Sequence, residues 1–144
     1  MLKCFKYGEK IAEIDLICET QGKIYRTACF KYDMPCFSTM YLKSKFCESE
    51  MDTMYSTWHY QDEDVILEMI EYELGLTKSS KPQMYEDEAF WVGYMYRYLY
   101  YITELTSKEL AEIIPYDEMV RFIRLCEDFE IEDMAEYIAT NCNI

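Results

Sequence analysis

The stretch Phe90-Trp91-Val92-Gly93-Tyr94-Met95-Tyr96-Arg97-Tyr98-Leu99-Tyr100-Tyr101-Ile102 dictates how the rest of the chain must fold. It is too short and too rich in tyrosine to span a bilayer. It has no proline and runs into Thr103-Glu104-Leu105, so it reads as a helix over 87–105. Trp91, Met95, Leu99 and Ile102 fall on one face at helical spacing; Phe90, Tyr94, Arg97 or Tyr98, and Tyr101 form a second. A helix that is apolar nearly all round belongs at the centre of a domain, covered on several sides. Gly93 costs about 1 kcal/mol in a helix interior relative to alanine, which the close approach of a neighbouring backbone would offset. Arg97 is the single charge of the stretch. It reads as a structural guanidinium, at the rim or paired with a carboxylate beneath tyrosine rings. The competing reading presents it to a partner.

Of the 144 residues 51% are apolar and 17% aromatic, enough for a sizeable core in one domain or in two small halves that share it. Neither a basic-then-apolar leader nor a membrane-spanning run occurs, so the expectation is a cytoplasmic chain. Seven cysteines, an odd number with no Cys-x-x-Cys pair, read as free thiols and not as disulfides or zinc ligands. With His59 as the only histidine, multi-histidine metal or catalytic sites are excluded. Residues 1–45 carry a net charge of +3 and the remainder −17. Besides serving solubility, such a surface repels nucleic-acid phosphate and attracts basic proteins.

Residues 9–19 place Ile11, Ile14 and Ile17 or Cys18 on one face of an amphipathic helix, which Gln21-Gly22 would stop or break. Residues 23–32 suit either a continuation of that helix or a strand. Asp33-Met34-Pro35 starts a helix along which Phe37, Met40 and Tyr41 recur. Glu48 to Trp58 reads as another, through Met51, Met54 or Tyr55, and Trp58. After a loop at 59–62, Asp62 caps a helix from Glu63 to Leu74 that buries Val65, Ile66, Met69 and Ile70 and ends at Gly75. The polar stretch 76–83 is the linker between an N-terminal half, 1–75, and a C-terminal half, 84–144. Thr106 and Glu109 form a capping box that opens a helix over 107–114, and Pro115 closes it. Met119, Phe122, Ile123 and Cys126 line a helix over 116–127; Ile131, Met134 or Ala135, and Ile138 line a last one near 130–140. The pattern predicts an all-α domain of about six or seven helices, monomeric or dimeric.

No pattern selects a catalytic cysteine–histidine pair, and four glycines leave no phosphate-binding loop. The chain therefore reads as a non-enzyme that takes no cofactor or metal. Thr106 to Pro115 has the form of the first helix and turn of a helix-turn-helix. The following helix, however, sets Arg121 and Arg124 among Asp117, Glu118, Glu127 and Asp128, a poor match to DNA. Fifteen tyrosines exceed what a core with hydrogen-bonded hydroxyls needs, and tyrosine and tryptophan favour binding surfaces. Trp58, His59, Tyr60, Tyr94, Arg97, Tyr98 and Tyr101 are accordingly the candidate partner-binding residues.

Two stretches carry a resemblance. Phe37-Ser38-Thr39-Met40-Tyr41-Leu42-Lys43-Ser44-Lys45-Phe46 followed by Met51-Asp52-Thr53-Met54-Tyr55-Ser56-Thr57-Trp58-His59-Tyr60 is one; Phe90 to Tyr98 with Thr106-Ser107-Lys108-Glu109 is the other. Together they resemble an uncharacterised family of small acidic proteins from gut Firmicutes, over most of residues 35–125. Members of that family are often encoded beside toxin-like genes, including one with an ADP-ribosyltransferase-like domain. The resemblance implies an antitoxin or accessory partner that neutralises a cognate intracellular toxin by direct binding, and it brings no catalytic residue. Two other classes stay open: a phage or mobile-element inhibitor that mimics DNA with its acidic surface, and a helix-turn-helix transcriptional regulator.

Overall fold

The computed structural model describes residues 5–8, 10–76, 78–79 and 85–144. Among them are seven α-helices and no strand: α1 (Ile11–Ala28), α2 (Met34–Leu42), α3 (Glu63–Leu74), α4 (Glu86–Ile102), α5 (Ser107–Ile113), α6 (Tyr116–Leu125) and α7 (Ile131–Cys142). The all-α architecture is as expected. Helix α4 is enclosed, with every side chain from Val92 to Tyr101 buried, and it packs along α1. Trp91, expected in the core, lies at its open edge and is 38% exposed.

The expected break at Gln21-Gly22 is not made: α1 continues through it to Ala28, so most of 23–32 is helix and not strand. The reason is tertiary. A Cβ on Gly22 would lie 2.9 Å from the Phe90 carbonyl oxygen, and one on Gly93 would lie 2.8 Å from the Gln21 carbonyl oxygen. The two glycines let α1 and α4 meet backbone to backbone. This is the close approach that Gly93 suggested, and it gives Gly22 a packing role in place of a terminating one.

Local signals set several helix ends. The Asp33 carboxylate accepts from the Cys36 N–H at 3.2 Å and opens α2. Asp62 does the same for α3 through Asp64 N–H at 2.9 Å, and Gly75 closes that helix at φ 57°. Helix α3 buries Ile66, Leu67 and Ile70; Val65 and Met69, expected inside, are exposed. Thr106 and Glu109 make both bonds of the capping box on α5. Helices α6 and α7 bury Met119, Phe122, Ile123, Met134, Ala135 and Ile138, as their spacing predicts.

The helix expected over 48–58 does not form. A π-type turn, Cys47–Met51, ends at Asp52, and a 3-10 turn, Thr57–Tyr60, follows with Ser56 as its cap. Asp52 is drawn inward instead. One apolar core takes residues from both sides of 76–83. Most of that expected linker lies outside the described residues.

Candidate functional site

Arg97 lies in the middle of α4 and has no exposed surface. Its Nε and Nη2 donate to Gln21 Oε1 at 3.0 and 2.9 Å, Nη1 donates to Asp52 Oδ1 at 2.7 Å, and Nη2 also donates to Ser107 Oγ at 3.0 Å. Asp52 accepts the Ser107 N–H at 2.8 Å, which places its carboxylate on the N-terminus of α5. Gln21 is held in turn: Tyr41 donates to its Oε1 at 2.8 Å, and its Nε2 donates to Gly93 O at 2.8 Å. The Tyr100 ring covers the guanidinium at 4.8 Å. Burial is the largest single influence and works against the charge, but the Asp52 carboxylate together with Cys47, Tyr41 and Tyr101 holds the Arg97 pKa well above its ordinary value. The pair joins α1, α2, the 47–52 turn, α4 and α5. Arg97 is thus paired with a carboxylate beneath a tyrosine ring, and that carboxylate belongs to Asp52.

The other candidate residues are placed unevenly. Tyr94, Tyr98 and Tyr101 are buried on α4; the Tyr94 hydroxyl donates to Asp15, and Tyr98 stacks on the Tyr94 ring at 6.4 Å. His59 is buried too, its Nε2 donating to Met51 O at 3.1 Å. Burial lowers the His59 pKa, and burial pushes the Cys47 thiol up to about 11, so the Cys47 sulfur is a thiol and not a thiolate at neutral pH. Trp58 is half-buried edge-on against Phe46 at 5.2 Å. Of the seven, only Tyr60, at 60% exposure, stands well clear of the core. It lines a groove with Leu16 and Lys23, beside Glu19, Asp62 and Glu63.

A second groove escaped the sequence reading. It runs between α6 and α7, lined by Glu118, Arg121, Phe122, Leu125, Tyr137 and Cys142. Leu125 is 62% exposed, and Phe129, just beyond α6, is 45% exposed while packing edge-on against Tyr137 at 5.9 Å. The available signal was Leu125 itself, an apolar residue off the Met119-Phe122-Ile123-Cys126 stripe. The two arginines of α6 are both held by carboxylates: Arg121 bonds Glu118, and Arg124 makes a two-pronged pair with Glu88 at 2.6 and 3.2 Å.

Among the described residues no group of three His, Cys, Asp or Glu side chains could hold a metal ion, and no helix is long and apolar enough to cross a membrane. No protein-family model, curated protein or solved structure matches the chain.

Proposed function

We propose that the protein works by binding another protein: an antitoxin-like or accessory protein that neutralises a basic-surfaced toxin or enzyme in the cytoplasm by covering its working surface. The observation that supports this reading is the division between inside and outside. The buried polar network around Arg97 satisfies itself, whereas the surface combines a net charge of −14 with exposed Leu16, Tyr60, Leu125 and Phe129. Apolar anchors with a charged surround are the make-up of a recognition surface whose association is steered electrostatically.

The test is affinity capture from the native host, followed by reconstitution with each purified candidate and by co-expression. The expected result is a two-component complex with a basic protein, weakened by salt, that relieves the partner's toxicity. If the captured partner is a nuclease and DNA competes for the same groove, the DNA-mimic reading replaces the antitoxin one. Sub-micromolar binding of DNA by the protein alone would contradict both.

A further inference from the structure

The geometry points to the groove between α6 and α7 as the docking site for an amphipathic, basic helix of the partner protein, an inference that rests on the protein-binding reading above. Its floor is apolar: Phe122 and Tyr137 pack at 6.2 Å, and Leu125 and Phe129 stand out beside them. Its surround is acidic. Residues 117–136 hold eight carboxylates and two arginines, and both arginines already bond carboxylates. The occupant that complements this face carries lysine or arginine around an apolar stripe. A second copy of the chain would bring like charge against like charge. The groove follows α6, a helix of ten residues, which is about 15 Å at 1.5 Å per residue and room for between about two and three helical turns of a ligand. Two facing helices with exposed anchors at their seam fit the helix-in-groove mode of recognition. The groove at Leu16 and Tyr60 is the weaker match, since among the described residues those two are its only large apolar side chains, against Phe122, Leu125 and Tyr137 between α6 and α7.

The probe is a fluorescent peptide of leucine and lysine placed at helical spacing, titrated with the full chain beside a scrambled peptide of equal composition. Leu125 and Phe129 are exposed, so Leu125→Ser and Phe129→Ser leave the fold in place, which circular dichroism checks. The amphipathic peptide is expected to bind more tightly than the scrambled one, and each substitution to weaken it at least about tenfold. Leu16→Ser and Tyr60→Ser are expected to change it less than about twofold. Equal binding of the scrambled peptide, or equal losses from Leu16→Ser and Tyr60→Ser, would overturn the site and leave the protein-binding reading standing. Failure of the amphipathic peptide to bind would overturn the site, whereas the protein-binding reading stands or falls on the affinity capture above. Sedimentation showing self-association that Leu125→Ser abolishes would assign the groove to a second copy instead.

Discussion

The Arg97 guanidinium donates through both Nε and Nη2 to one oxygen of Gln21, and so ties the middle of α4 to the middle of α1. Asp52 closes the arrangement from the opposite side at 2.7 Å. Arg97→Met leaves that carboxylate inside without its cation, which should cost about 3–5 kcal/mol. Urea unfolding should show a lower midpoint at an unchanged slope. Arg97→Lys should recover little, because one ammonium cannot serve Gln21, Asp52 and Ser107 together.

Gly93→Ala tests the contact of α1 with α4. Alanine gains about 1 kcal/mol of helix propensity. Its Cβ, however, would sit 2.7 Å from Tyr25 Cγ and 2.8 Å from Gln21 O. Overpacking of that kind costs about 1–3 kcal/mol and outweighs the gain. The variant should melt below wild type; a raised melting temperature would mean that the helices have room to separate.

Signals confined to a few neighbouring residues were legible in the sequence. Asp62 with Gly75, and Thr106 with Glu109, bracket their helices as their chemistry dictates. Signals that depend on distant partners were not. Gly22 has the look of a helix stop until Phe90 is known to lie against it. Glu48 to Trp58 has helical spacing, yet Asp52 leaves the helix to meet Arg97, 45 residues away. Aromatic residues carry no mark of inside or outside, so Tyr94 and Tyr98 were grouped with Tyr60 although only Tyr60 is exposed.

His59 should make stability depend on pH. Burial lowers its pKa below 6.5; Arg97 adds to this, while its bond to Met51 O and the charges of Asp52 and Glu50 oppose it. The unfolded chain therefore takes up the proton first. The stability contribution is full above the unfolded value and is lost as pH falls through the lower folded one. His59→Gln keeps an N–H for Met51 O and cannot titrate. Between about pH 7.5 and about pH 5, wild type should lose more melting temperature than His59→Gln. Parallel curves would contradict the role given to His59.

Trp91→Ala should cost about 1–3 kcal/mol, below the 3–5 kcal/mol or so of a fully buried indole, because the ring is 38% exposed. It packs against Phe90 and Tyr94 at centroid distances of 5.1 and 5.2 Å. Urea unfolding of the variant measures the difference directly.

The most direct test of the account is one experiment on two variants, Arg97→Met and Leu125→Ser, each melted and each titrated with the leucine–lysine peptide. Arg97→Met should melt well below wild type and, at a temperature where it remains folded, bind the peptide as wild type does. Leu125→Ser should melt like wild type and lose at least about tenfold in affinity. An Arg97→Met variant that melts like wild type but fails to bind would place recognition on α4 and contradict the separation of a self-satisfied interior from an acidic, apolar-anchored surface.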